Sequence, residues 1–415
     1  MAFRILVESA FHGALSAVNP EQCVARILHR EGSSIAVDRQ SIEVKGAVRI
    51  AAIGKGAPSM ARGAVAILGD LVKDGVVVTD HIESVPMPLR LLTGEHPYPS
   101  AGSLEGGAAL LRIAEESGED DLLLALISGG GSSLAEVPIE GLDVDDLVVV
   151  SREMMAAGAP IEELNCVRRH LSRLKNGGLV DAAGKTQVIS LLISDVVDSP
   201  PNVISSGPTM FDGTSTEHAV AILRRRLGSR TSSRVLEVLQ RVPARRPQTP
   251  DHLWKVVADG GMAAHAAAAT LQAAGVPTSI ASTTLRGESR SEAQRIVIES
   301  PPGTSVLAGE TIVSGAVSGR GGRNQEAALA AAIAIAGRRG YHFAAFGTDG
   351  IDGPTEAAGA IVDSETVARG HALGLDAASH LDSHDSNPYL AATGDLVTTG
   401  PTGTNVGDLW FVSSP

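Results

Sequence analysis

Residues 121–134 read DLLLALISGGGSSL. Six consecutive aliphatic residues make a strand that is buried on both faces, and three glycines among three serines make the turn that follows it. The same grammar recurs on either side. VRIAAIG (48–54), DGVVVTD (74–80) and TQVISLLIS (186–194) are further aliphatic runs, and the Ala-rich or charged periodic segments 57–69, 103–117 and 143–157 follow several of them. Strand and helix in alternation predict βα units and a mainly parallel sheet. After RVPARRPQTPDH (241–252), proline-rich and poor in apolar residues, a second alternating region begins with WKVVADG (254–260) and VPTSIA (276–281). A two-domain α/β chain is therefore expected, with a Rossmann-like domain over 1–245 and a smaller α/β domain over 246–415.

Composition agrees with that architecture and removes other classes. The chain has 415 residues, 43% of them apolar but only 3% aromatic, so its cores must rest on Ala, Val, Leu and Ile. Its net charge is −13 and it contains no long Lys/Arg run, which argues against a nucleic-acid partner. The two cysteines, Cys23 and Cys166, have neither metal-ligand spacing nor a disulfide framework. No apolar run is long enough for a bilayer, and residues 1–18 read as an amphipathic helix interrupted by Glu8 and His12. The cytoplasm is the expected compartment.

An acidic chain that handles anions must build positive sites locally, and five glycine-rich loops at strand ends offer places for them. In the loop Ser128-Gly129-Gly130-Gly131-Ser132-Ser133, backbone N–H groups and hydroxyls form a cradle for phosphate or carboxylate, although no GK[ST] ends it as in a Walker A loop. IGKGAPSM (53–60) sets Lys55 at a helix start with Pro58 in the first turn. A cation there opposes the helix dipole, and an anionic ligand would relieve the conflict. SGRGGRNQEAAL (318–329) repeats the device with Arg323, followed by Asn324. FGTDGIDGPT (346–355) brings Asp349 and Asp352 into one tight loop, a pattern that suits Mg²⁺ as well as ordinary Asp-Gly turns. TGPTGTNVGDL (399–409) adds Thr402, Gly403, Thr404 and Asn405, and ISDVVDS (193–199) ends a strand with Asp195, which is either a general base, a metal ligand or a turn residue. Cradles, two cations and several carboxylates without a nucleophile triad match phosphoryl transfer, where positioning and charge neutralisation do most of the work.

Taken in order, GKGA, GEHPYPSAGSL, SGGGSSL, HLSRLK, ISSGPT, GGRNQE, GTDGIDGPTEAAGA and TGPTGTNVGDL resemble the glycerate 2-kinases that carry a C-terminal MOFRL domain. The resemblance covers nearly the whole chain. It implies ATP-dependent phosphorylation of D-glycerate to 2-phosphoglycerate with Mg²⁺ in a cleft between the two domains, Lys55 and Arg323 as essential cations, and Lys175 among the substrate contacts. It leaves a homodimer open. Two loops depart from the family's pattern. LSRLKNGGL (171–179) has Asn176 for a glycine and Gly178 for an arginine, and SDVVDSPP (194–201) has Ser199 where the second acidic residue is displaced. These departures bear on the identity of the acceptor acid, and a related sugar acid is the alternative. A rival reading is an NAD(P)-dependent hydroxypyruvate-type reductase, because Gly54-x-Gly56-x-x-Ser59 with Asp80 beyond the next strand approaches the dinucleotide fingerprint. A non-catalytic binder of nucleotides or sugar acids is a second.

Overall fold

The computed structural model describes residues 2–95, 98–198, 200–242, 252–315 and 319–415. Most of the expected linker, the boundary near 245 and Ser199 lie outside these residues. Two compact units divide the chain: one takes 20–193 and 200–257, the other 1–19, 194–199 and 258–415. The N-terminal helix Ala2–Ala17 thus belongs to the second unit, where it packs along helix Gly260–Ala273.

The first unit opens with an antiparallel meander, β1 (Leu28–Glu31), β2 (Ser34–Val37) and β3 (Gln40–Glu43). Its main sheet contains β4 (Val48–Ile53), β5 (Val72–Thr79), β6 (Arg90–Thr93), β7 (Leu122–Ile127), β8 (Gln187–Ile193) and β9 (Leu253–Ala258), in the order β6-β5-β4-β7-β8-β9. The pairs β4–β5, β4–β7, β5–β6 and β7–β8 are all parallel, as the aliphatic runs predict. Chain order reverses between β4 and β7, so the turns after these two strands flank a topological switch point, where open α/β sheets bind ligands. The strand WKVVA beyond the proline-rich stretch completes this first sheet rather than starting the second. Its apolar pattern marks a strand but cannot name the neighbour. Helices Val144–Ala156, Ile161–His170, Thr216–Leu227 and Ser233–Arg241 share a separate apolar core around Leu147, Met154, Val167, Leu223 and Leu239.

The second unit is built on β10 (Thr278–Leu285), β11 (Gly303–Gly309), β12 (His342–Gly347), β13 (Gly359–Asp363), β14 (Leu396–Val397) and β15 (Asp408–Ser414), ordered β10-β11-β15-β12-β13-β14. Here β10–β11 is parallel, and the C-terminal strand β15 runs antiparallel to both β11 and β12. The parallel expectation holds in the first sheet and gives way to mixed pairing in the second. Helix Arg323–Ala334 lies against this sheet, and its residues Asn324–Ala332 are all buried. With aromatics scarce, alanine lets the helix sit close to its neighbours on every side, while Phe343 and Trp410 meet edge to face at 5.3 Å. Cys23 and Cys166 are buried and form no disulfide, and among the described residues no helix is long and apolar enough to cross a membrane.

The close fit of this helix predicts that Ala328→Leu, which puts three more carbons at a fully buried site, lowers unfolding free energy by about 1–3 kcal/mol. Urea denaturation measures it; an unchanged midpoint would mean that the helix has room to spare.

Candidate active site

At the switch point the two turns are pressed together. Gly54 has φ 120°, and a Cβ at this position would stand 2.3 Å from Ser128 Oγ and 2.4 Å from the Ser128 carbonyl oxygen, so no other residue fits. The Ser128 N–H donates to the Ile53 carbonyl (2.9 Å), the Lys55 N–H to the Gly129 carbonyl (3.0 Å) and the Gly56 N–H to Ser128 Oγ (2.9 Å). The Lys55 stem passes over Gly130, 3.3 Å from where a Cβ would stand. Behind it, helix Ala57–Leu68 has Pro58 in its first turn and no capping side chain. Nearby, burial alone would raise the Asp80 carboxyl, but His81 and Lys55 hold it below the usual range. Directly behind Ser128 stands a single turn of helix, Gly131–Leu134, so the cradle there rests on loop N–H groups and hydroxyls rather than on a helix dipole.

Ser205 and Ser206, from the ISSGPT segment, close the cradle's other side. Both have positive φ (50° and 62°), a conformation that costs energy in non-glycine residues. Ser205 Oγ donates to the Ser128 carbonyl (2.6 Å), and Ser206 Oγ lies 2.8 Å from Ser132 Oγ. Sequence reading did not assign these serines a role; two serines before Gly207-Pro208 are the only signal. Lys175 occupies a different place from the one expected. It is 1% exposed and ion-paired with Glu136, which is 2% exposed, and burial pulls its ammonium down to about 8 against the pull of that carboxylate. Its ammonium is committed inside the protein. Asn176, at φ 52°, accepts the Asp212 N–H at 2.9 Å and shapes the same loop.

In the second unit Arg323 begins helix Arg323–Ala334 and is held by two carboxylates. Its Nε donates to Asp408 (2.8 and 3.0 Å) and its Nη1 to Glu310 (2.7 Å). Burial works against the Arg323 charge, but Asp408 and Glu310 outweigh it and the guanidinium stays protonated. Glu310, at the end of β11, is a residue that sequence reading missed. Desolvation first, then the carboxylates of Asp195 and Asp408, push it up to about 7 against Arg323, although 43% of its side chain remains open to solvent and tempers the shift. Asp195 is half-buried and accepts Asn405 Nδ2 at 3.2 Å, so the structure joins these two expected residues. Thr402 Oγ1 donates to the Thr348 carbonyl (2.6 Å), Thr404 Oγ1 donates to the Val18 carbonyl (3.1 Å), and Gly403 at φ 75° makes the turn between them. These hydroxyls brace the loop. A cavity of about 160 Å³ lies beside it, lined by Asp195, Asp198, Asp259, Thr283 and Val406. A larger one of about 550 Å³ in the first unit, lined by Arg169, His170, Arg173 and Arg241, holds none of the expected site residues.

The two acidic residues read as a metal pair separate in role. Asp352 is 2% exposed, and both its oxygens are taken: the backbone N–H groups of Asn324 (3.0 Å) and Gln325 (2.8 Å) and the side-chain amides of both residues donate to it. It caps the Arg323 helix from 28 residues away, and Gly322 is required there because a Cβ would stand 2.4 Å from the Asp352 carboxyl. Burial raises its pKa to about 6 despite these donors. The expected metal role of Asp352 is therefore corrected to capping. Asn324, also expected at the ligand, is buried between Asp352, Asp408 (2.9 Å) and Trp410 Nε1 (3.0 Å). Asp349 is half-buried and its Oδ1 accepts the Ile351 N–H at 3.2 Å. Among the described residues no group of three or more His, Cys, Asp or Glu side chains could hold a metal by itself. A divalent ion that arrives on a nucleotide needs only one or two protein carboxylates, and the half-buried Asp349 could supply one.

Comparison with known proteins decides the lineage. A domain of unknown function, DUF4147, matches residues 6–240, and the MOFRL family matches residues 304–408. The D-glycerate 2-kinase of Thermotoga maritima is 35% identical over 95% of this chain and 94% of its own length. The chain belongs to the glycerate 2-kinase family with a C-terminal MOFRL domain. The crystal structure of the Thermotoga maritima glycerate kinase superimposes with a TM-score of 0.87 at 31% identity and covers both chains completely. An Agrobacterium vitis protein that carries a hydroxypyruvate reductase name is 36% identical over 88% of this chain and 86% of its own.

The division of labour between the two acidic residues is testable. Asp352→Asn removes an acceptor that serves four donors and is expected to cost about 1–3 kcal/mol of stability, with turnover per folded molecule largely kept. Asp349→Asn should do the reverse. Thermal melts and initial rates on both variants measure this, and a stable Asp352→Asn protein without activity would return the metal role to Asp352.

Proposed function

We propose that this family member transfers the γ-phosphoryl group of ATP to the 2-hydroxyl of D-glycerate, giving 2-phosphoglycerate and ADP. The observation that carries the proposal is the knot of two glycine turns at the switch point, with the Lys55 stem lying across Gly130. A cation placed over a loop of backbone N–H groups and serine hydroxyls neutralises the charge of a phosphoryl group in transfer, where electrostatic stabilisation dominates catalysis.

In this reading Lys55 and the Ser128–Ser133 loop receive phosphate oxygens, with Ser132 kept in place by Ser206. Arg323 supplies the second cation; Asp408 holds its Nε, so its orientation is fixed before substrate binds. Asp195 orients the acceptor hydroxyl and takes its proton, and Asn405 fixes the carboxylate that does so. Asp349 is the protein oxygen offered to Mg²⁺, which arrives with ATP and spreads the charge of the phosphates. Thr402, Gly403, Thr404 and Asn324 act by holding these groups. We infer a cytoplasmic enzyme whose partners are ATP and the acceptor acid.

The reductase reading meets a physical obstacle. In a dinucleotide site the N–H groups of the first turn face the pyrophosphate. Here the N–H groups of Lys55 and Gly56 are both spent on the second turn.

With purified protein, ADP release should depend on D-glycerate, and hydroxypyruvate should not cause NADPH oxidation. Lys55→Ala is expected to lower turnover at least 10²-fold with the fold intact, the scale of one lost electrostatic donor. Near-normal turnover in that variant would remove Lys55 from the reaction. Chelation should abolish activity and Mg²⁺ or Mn²⁺ restore it; full activity after exhaustive chelation would remove the metal.

A further inference from the structure

The helix that leads into the Lys175 loop carries Arg168 and Arg169 in its last turn, with Arg173 beyond it, and the structure gives the three arginines different surroundings. Arg169 is closed off by a buried ion pair with Asp212 at 2.5 Å. Arg173 is 55% exposed and pairs loosely with Glu115 at 3.7 Å. Arg168 is half-buried and reaches the cradle: its Nη2 donates to the Ser132 carbonyl at 3.2 Å. Among the described residues that is its one hydrogen bond, and it has no ion pair. Ser132 is held on its other side as well, where its hydroxyl lies 2.8 Å from that of Ser206.

Charge around Arg168 is unbalanced. The buried carboxylate that acts on it, Glu136, is already paired with Lys175. A third cation, Arg152, stacks 4.9 Å from the centre of the Tyr98 ring, and Tyr98 also lies within electrostatic reach of Arg168. Burial pulls the Arg168 guanidinium down, and Glu136 and Tyr98 offset only part of that. A half-buried guanidinium with one carbonyl partner still has donors to offer an anion.

We propose that Arg168 holds the carboxylate of the acceptor acid beside the Ser128–Ser133 loop, and so determines that the acceptor is an acid. The assignment rests on the kinase reading above. Lys55, with Asp80 as its counter-charge, covers the middle of the loop at Gly130 and is placed for phosphate. Arg168 comes to Ser132, two residues along, with one Nη committed to the carbonyl. The guanidinium's remaining donors form a planar edge that matches the two oxygens of a carboxylate.

The test compares wild type, Arg168→Gln and Arg168→Lys with ATP and two acceptors, D-glycerate and its uncharged amide, glyceramide. The KM for D-glycerate should rise roughly 10- to 100-fold in Arg168→Gln, the scale of one charge-assisted contact, while the KM for ATP stays within about twofold. The preference for acid over amide in kcat/KM should fall by a similar factor, and Arg168→Lys should recover part of it. A structural role would not move that preference. An unchanged preference in a folded Gln or Lys variant, or a rise confined to the KM for ATP, overturns the assignment. Wild type that phosphorylates D-glycerate alongside variants that keep the preference defeats only Arg168; wild type that does not phosphorylate it defeats the kinase reading and the assignment together.

Discussion

The arrangement depends on one close approach: Gly54 against Ser128, where the turns after β4 and β7 meet with no room for a side chain. Parallel strands bring the two turns to the same edge of the sheet, and the reversal of chain order between them leaves that edge without a covering crossover. What then holds the turns is hydrogen bonding between them, which consumes the first N–H groups of the Lys55 turn and leaves the loop of 129–133 with its hydroxyls and the Lys55 side chain to meet a ligand. The strain stored at Ser205 and Ser206 makes physical sense in the same frame. Two serines in a left-handed conformation clamp the loop, and that fixes donor directions before a substrate arrives.

The second unit solves a different problem, which is to keep a partly exposed arginine in one orientation. Its answer is a set of buried carboxylates. Asp352 caps the helix that Arg323 begins, Asp408 grips the guanidinium, and Asn324 ties the two acids together. Buried charges survive only when paired and hydrogen-bonded, and each of these is. The acidic loops of this unit are therefore in large part scaffolding for a cation. Glu310, pushed up toward neutrality beside Arg323, is the member of the group whose charge is most easily changed.

Much of this was legible in the chain. The aliphatic runs at 48–54, 121–127 and 186–194 are strands because each is bounded by glycine or a polar turn, and Lys55 and Arg323 stand out because a cation at a helix start conflicts with the helix dipole. Direction and partnership were not legible. The reading of 399–409 as a loop did not reach the strand 408–414 that inserts antiparallel between β11 and β12, and the apolar run at 254–258 does not show that its strand returns to the first sheet. The same limit applies at the site. Asp352, Asn324, Lys175 and Thr404 look like ligand residues in glycine loops, but their partners lie far away in sequence, 84 residues off for the Asn324–Asp408 bond, and those partners commit them to the scaffold. Arg168 was one of three neighbouring arginines until the structure showed which of them faces the loop.

The most direct test of the account is the identity of the product. Wild-type protein incubated with ATP, Mg²⁺ and D-glycerate can be followed by phosphorus and proton NMR, which report the carbon that bears the new phosphate. The account predicts 2-phosphoglycerate formed in step with ADP. Phosphate on the 3-hydroxyl, or no phosphorylated acid while hydroxypyruvate is reduced by NADPH, would contradict it.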